Sequence, residues 1–540
     1  MWGILKNAVK ALRAVCWRMV HPNQSRRTKP NHSVWATNAP LSGAEVVQVT
    51  DLLTKAEANL HLVEPGHDHA LVSAQIQSYR VALAPHKSLL PEVLAMIFAN
   101  CVGTPIILPP SPHEPALAIA GTCRSWRHII LNIPNLWCNI LLDFISGPNP
   151  VKLLEYAKLW LSRSNTLITL RNSSSRWAES RMQEQNVDPI SYLVAPYVSR
   201  CREIDMRFLE ASVDEFFTVP AGSIDHLEVL YLETLWVTMP FGPSGEPLEV
   251  FRSAPRLQHV LFSTDMCSID PQVLGLPWPQ LTGLHFIATY IPPLAMHAIL
   301  RESHALVECS FSIIELDGAT AAALQRVPEC ILPALRSLMV EFSPQTTDYA
   351  PFLRPLVLPA LEDLELRPLE AGYLPQCVWS QPAYAGLVAR SRFTLRRLAI
   401  LHYTIAPADL IAVLRGMPSL TTFELFLWEK TEWDARVLRG LADGALLPRL
   451  EALTFSTHPI GDVLDALEAR VRLGKTGGAG VARLRSLQME VTWRLDVPSE
   501  QMARFMRLAE DGGPKCRAVS HTRAYAHDRS RTSTQVLASS

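Results

Sequence analysis

The chain has 540 residues, of which 48% are hydrophobic and 19% charged, with a formal net charge of −1 and a pI of 7.0. That length exceeds what one core usually serves, so two or more structural units are expected. The near-neutral balance gives no support to a nucleic-acid-binding chain, which usually shows a basic excess or a basic stripe. Ten scattered cysteines without a C-x-x-C spacing read as buried reduced thiols of an intracellular protein rather than as a disulfide scaffold.

The first 44 residues contain no Asp or Glu and carry Lys6, Lys10, Arg13, Arg18, Arg26, Arg27 and Lys29. Ile4, Leu5, Val9, Leu12, Val15, Cys16 and Met19 would share one helix face. Residues 1–43 therefore read either as a basic amphipathic segment (a mitochondrial presequence or a membrane-surface helix) or as a disordered tail. Further on, the most apolar stretch, residues 93–108, is interrupted by Asn100, Gly103 and Pro105 and is too short to span a membrane.

Residues 44–84 read as two helices. Val46, Val49, Leu53, Ala56, Leu60 and Val63 recur at three- and four-residue steps, and Pro65-Gly66 ends that run. A helical hairpin packed on itself and self-association through residues 46–63 are both open. Next comes "LLPEVLAMIFANC" (89–101), with a stripe of Val93, Leu94, Ile97, Phe98 and Cys101 on one helix face. Pro91 suits a first helical turn, and Glu92 complements the positive end of the helix dipole. The five prolines of residues 103–115 read as a loop. Leu117, Ala120, Cys123, Trp126 and Ile130 then mark a further helical stretch, which Pro134 closes.

From about residue 160 to 495 the text repeats. "HLEVLYLE" (226–233), "RLQHVLFS" (256–263), "QLTGLHFI" (280–287), "ALVECSFS" (305–312) and "ALRSLMVE" (334–341) share an L-x-x-L-x-L pattern. So do "ALEDLELR" (360–367), "TLRRLAIL" (394–401), "SLTTFELF" (419–426), "RLEALTFS" (449–456) and "RLRSLQME" (483–490). The uneven spacing is that of degenerate leucine-rich repeats, in which stacked parallel strands build a core that no single repeat could close. Residues 150–500 are thus predicted to form an α/β repeat solenoid of parallel strands and helices. The polar, aperiodic stretch 511–540 is predicted to be disordered.

Signs of enzyme chemistry are weak. "RLGKTGG" (472–478) has the tail of a phosphate-binding loop, but Ala469 stands where its first glycine belongs. "HDH" (67–69) has no cysteine spaced to complete a zinc site. No catalytic residue, metal or cofactor is expected.

Residues 89–137 resemble an F-box. The likeness rests on Leu90-Pro91-Glu92-Val93-Leu94, Ile97-Phe98, Cys101, Cys123-Arg124-Ser125-Trp126-Arg127 and Pro134-Asn135-Leu136-Trp137. The wording is close to the F-box proteins common in mushroom-forming fungi. Tyr79-Arg80, Leu83 and Pro85 fit the lead that precedes the motif there, and "WLSRSNTLITL" (160–170) fits the segment that follows. The resemblance implies a small all-α F-box unit at 86–145, followed by leucine-rich repeats. It implies that Leu90, Pro91, Leu94, Ile97, Phe98, Cys123, Trp126, Arg127 and Trp137 contact a Skp-type adaptor, or share that contact with the unit's own core. Through the adaptor the chain would join a cullin, as a non-catalytic, cytoplasmic or nuclear receptor of a ubiquitin ligase. The long 103–115 segment departs from the motif. A repeat scaffold that recruits no ligase is the alternative.

An unknown protein substrate would lie on the strand-lined face. Exposed positions flanking the last motif residue include Glu233, Glu341, Glu365, Glu424 and Glu490, against Arg367. These predict a mildly acidic face suited to a basic segment, or simply solvated strand glutamates.

Overall fold

The computed structural model describes residues 41–539 apart from short internal stretches, the longest being 210–215, 236–248, 369–376 and 522–533. Residues 1–40, with the amphipathic reading placed on them, lie outside the described residues. The chain divides into two compact units, residues 1–202 and 203–540.

In the first unit, α1 (Gly43–Leu60) and α2 (His67–Ala82) form a hairpin. Ser42 starts α1 through a reciprocal cap: the Glu45 N–H donates to Ser42 Oγ, and the Ser42 N–H donates to the Glu45 carboxylate at 2.7 Å. Val49 and Ala56 are buried against Ile76, Tyr79 and Ala82, with Leu53 and Leu60 beside them. The 46–63 seam packs largely on α2, and Arg80 pairs with Glu57 across it at 2.7 Å. Helices α3 (Pro91–Cys101), α4 (Pro115–Thr122) and α5 (Arg124–Leu131) then pack together.

The proline-rich 103–115 segment is not wholly a loop. Ile106–Leu108 is a strand, β1, paired in parallel with β2 (Asn139–Asp143). Its prolines, Pro105 and Pro109, flank the strand and so cost it no ladder hydrogen bond. β2 pairs in parallel with β3 (Ile168–Ser173). Helix α6 (Pro150–Leu161), started by the Asn149 side chain, crosses between them and packs on β1 and β2. Helix α7 covers Arg176–Glu184, and short helical turns follow it up to Arg200.

The second unit is a parallel array. Its strands are β4 (Cys201–Leu209), β5 (Val229–Leu235), β6 (His259–Ser268), β7 (Gly283–Ile291), β8 (Glu308–Ile313) and β9 (Ser337–Phe342). They continue with β10 (Asp363–Pro368), β11 (Arg397–Thr404), β12 (Thr422–Leu427), β13 (Ala452–Ser456), β14 (Ser486–Val491) and β15 (Lys515–His521). Each pairs in parallel with the next. Helices α8 (Pro293–Glu302), α9 (Gly318–Leu324), α10 (Gln381–Ser391), α11 (Pro407–Gly416), α12 (Ala435–Ala442), α13 (Ile460–Lys475) and α14 (Ser499–Arg507) fill the later crossovers.

Every apolar position of the ten predicted motifs is buried, the most exposed being Leu484 at 3%. The register is fixed by a repeated backbone device. The Glu228 carbonyl accepts from the N–H groups of Gln258 and His259, that of Gln258 from Thr282 and Gly283, and the same pattern runs on to Glu451 with Arg485 and Ser486. Successive motifs are thereby held level, and their apolar residues stack into one continuous core.

The sheet runs further than the motifs did. β4 carries Cys201-x-x-Ile204-x-Met206, all buried, in register with the Leu227 motif. β15 lies within the stretch expected to be disordered, and it puts Cys516 and Ala518 opposite Leu487 and Met489. β16 (Thr534–Ser539) pairs antiparallel with β15.

Candidate functional site

Two surfaces, one on each unit, carry the residues that the sequence singled out. On the first unit the predicted adaptor residues divide sharply. Leu94, Ile97, Phe98, Trp126 and Trp137 are enclosed by the unit itself, Trp137 to 1% exposure. Phe98 meets Trp126 with ring centroids 4.9 Å apart, and Trp137 meets Trp160 edge-on at 4.9 Å. Trp137 also opens the pattern Trp137-x-x-Ile140-x-Leu142, the same in form as the repeat motif, with all three residues buried. Of the two roles expected of these five, the structure shows the one in the unit's own core.

Cys123 and Arg127 have local roles. The Cys123 sulfur caps α5 by accepting from the Trp126 N–H at 3.4 Å, and Arg127 Nε donates to the Ala120 carbonyl at 2.9 Å, tying α5 to α4. What remains open is the head of α3. Leu90 is 65% exposed, Pro91 is exposed, and Met96 is 58% exposed. Leu90 sits in extended backbone at the N-cap, and Pro91, having no N–H to satisfy, starts the helix.

On the second unit the pleat sends the motif residues into the core and the alternate residues outward. The outward residues are half-buried for the most part, and three rows of them cross the strands in register. Here the predicted substrate glutamates meet arginines. Arg207 pairs with Glu233 at 2.9 Å. Arg367 pairs with Glu341 at 2.6 Å and with Glu365 at 3.3 Å. Arg397 holds Asp363, Glu365 and Glu424 at 2.8, 2.9 and 2.8 Å. Glu341 is only 2% exposed and also accepts from the Ser312 hydroxyl. Burial opposes the charge of Arg397, but its hydrogen bonds to Glu424 and Glu365 and the nearness of Asp363 outweigh that and raise its pKa. Glu233, Glu341, Glu365 and Glu424 are therefore rungs of an ion-pair ladder rather than solvated groups awaiting a partner. Glu490 on β14 is half-buried.

The sequence reading passed over a second outward group. His259, His285 and Glu308 converge from β6, β7 and β8, with Glu308 Oε1 3.6 Å from His259 Nδ1 and 3.6 Å from His285 Nε2. Gly283 stands between His259 and Glu308 in the row, and a Cβ there would run into His259 Nδ1. His285 Nδ1 lies 2.7 Å from Ser310 Oγ. Burial lowers the His285 pKa more than Glu308 raises it. Serine, histidine and glutamate in this order suggest a hydrolase triad. However, β8 is paired on both sides, so most of its amides serve the ladder rather than a bound oxyanion. An alignment of the motifs by their outward columns would have revealed both groups, since it sets the opposite charges side by side and leaves Gly283 as a gap between His259 and Glu308.

Among the described residues no single helix is long and apolar enough to cross a membrane, and no cluster of three or more His, Cys, Asp or Glu could hold a metal ion. Comparison with protein-family models and with curated proteins finds no match to this chain.

Proposed function

We propose that the chain is a non-catalytic recognition subunit that docks a Skp-type adaptor through the head of α3 and holds a protein substrate on the outward face of the parallel sheet. The observation that carries this reading is the exposure of Leu90, Pro91 and Met96 on α3, with Ile107 and Leu117 also exposed in the same stretch of chain. A single exposed leucine is ordinary, but an adjoining Leu-Pro pair with a methionine on the same short helix offers an anchor for an apolar partner. Proximity would then do the work of catalysis, since a receptor that holds substrate beside a charged ubiquitin carrier raises its effective concentration.

The test is capture of a purified Skp-type adaptor by the full chain and by a Leu90→Ala/Pro91→Ala variant. Both positions lie outside the core, so the thermal midpoint should stay unchanged. Capture should fall roughly tenfold or more, from the apolar area removed. A second reading, a repeat platform that recruits no ligase, is favoured by the enclosure of Leu94, Ile97, Phe98, Trp126 and Trp137. Undiminished capture by the variant, or none by the parent chain, would favour it.

A further inference from the structure

The outward charge of the second unit changes along the sheet. Over β4–β8 the three outward rows hold Glu203, Asp205, Glu233 and Glu308 against Arg207, four carboxylates to one guanidinium. Over β13–β15 they hold Glu490 against Lys515 and Arg517. The acidic end is thus the early strands, away from the Arg367 and Arg397 ladder.

Within that end Glu308 is distinctive. Its side chain is 46% exposed, and among the described residues it meets imidazoles at 3.6 Å but no arginine within ion-pair distance. In the row running through the centre of these strands, Tyr231, Leu261 and His285 stand side by side on β5, β6 and β7. Tyr231 is half-buried, and its phenol pKa is raised first by burial and then by the charges of Glu308, Asp205 and Glu203, which therefore reach it from both flanks. An aromatic ring beside an aliphatic side chain, bordered by carboxylates, suits a cation carried on an apolar stem.

We infer that the strip of Tyr231, Leu261 and His285, bounded by Glu308 on one flank and by Glu203 and Asp205 on the other, holds an arginine or lysine side chain of a bound peptide segment. This rests on the reading of the sheet face as a recognition surface, and it replaces the glutamates first singled out. The guanidinium or ammonium group pairs with Glu308 beside His285, while its methylene stem runs back over Leu261 towards the Tyr231 ring.

The experiment uses the full chain and a labelled 12-residue peptide alternating Arg and Gly, with a citrulline/Gly peptide of the same length, read by fluorescence anisotropy at low salt. Citrulline keeps the shape and removes the charge. The arginine peptide should bind and the citrulline peptide should bind at least roughly tenfold more weakly. Glu308→Gln should weaken arginine binding roughly fivefold or more, as should Tyr231→Leu, whereas Glu490→Gln, which removes the same charge at the other end of the sheet, should leave it within twofold. Circular dichroism on each variant confirms that the fold is kept. Equal binding of the two peptides, or equal losses in Glu308→Gln and Glu490→Gln, overturns the inference. The assay needs no adaptor. A chain that binds arginine but captures no adaptor therefore sinks the ligase reading alone, and one that captures adaptor but ignores arginine sinks this inference alone.

Discussion

His297 gives the clearest quantitative prediction. It sits on α8, 1% exposed, with its ring centroid 4.6 Å from that of Phe352. Its Nε2 lies 3.0 Å from the Phe352 carbonyl, and its Nδ1 is buried with no hydrogen-bond partner. Nε2–H therefore donates, and a proton added at Nδ1 would have no acceptor. Burial brings the pKa down from 6.5 to about 4, against the smaller opposing effect of the Phe352 hydrogen bond. A folded pKa below the unfolded one means that the unfolded state binds more protons between the two values. Stability from this group is thus complete above pH 6.5 and is lost as pH falls towards 4. The gap corresponds to about 3 kcal/mol at full loss, most of which is gone by pH 4.5. The variant His297→Gln keeps an N–H for the Phe352 carbonyl and cannot titrate. Urea unfolding followed by circular dichroism, with hydrogen exchange because stacked repeats can open piecewise, compares the two chains at pH 7.5 and 4.5. The variant should be less stable by about 1–2 kcal/mol at pH 7.5, from poorer packing. It should match or exceed the parent at pH 4.5. Other acid-sensitive groups are common to both chains and cancel in the difference. Parallel pH slopes for parent and variant would refute the reasoning.

Arg397→Gln removes the cation shared by Asp363, Glu365 and Glu424, and should cost about 2–3 kcal/mol, somewhat less than for a fully buried pair because the guanidinium is 29% exposed. High salt should narrow that gap only slightly in urea unfolding, and its disappearance in salt would mean that the ladder is merely a surface arrangement. Ala288, in β7 where the register with β8 shifts, has φ 49°, a conformation that a Cβ disfavours. Ala288→Gly should therefore stabilise the chain by about 0.5–1 kcal/mol after the added freedom of the unfolded glycine is set against the relieved strain. A lower thermal midpoint would sink that account.

The repeat array was legible because leucine at three fixed positions can satisfy both the stacking and the burial. It ceased to be legible where other residues do the same job. Cys201, Ile204 and Met206 fill the core of β4 as Leu227, Leu230 and Leu232 fill that of β5, yet share none of its letters. In β15 the first motif position falls on Gly513, where a Cβ would run into the Leu508 carbonyl, so a leucine there is sterically barred. Trp137 is ambiguous for a related reason: a large apolar residue after a helical unit suits a shared core-and-contact position and a first motif position equally well. Composition could not choose between them, and the Trp160 ring packed against it does. The open zone at Glu308 was hidden because its character depends on which side chains the pleat brings level across three strands.

The same register separates two uses of charge on one sheet face. Where arginines stand level with carboxylates, as Arg397 does with Asp363 and, diagonally, with Glu365 and Glu424, each ion satisfies the others and the row is fixed in place. A partner would have to break those pairs, and leaving one member of a partly buried pair alone costs more than a new contact of the same kind returns. Where the level position is Gly283, with imidazoles in place of guanidiniums, the carboxylate keeps an exposed side and only long contacts. A cation arriving at Glu308 displaces little and gains a charge-assisted hydrogen bond, which is why recognition is assigned to the early strands and stiffness to the middle ones.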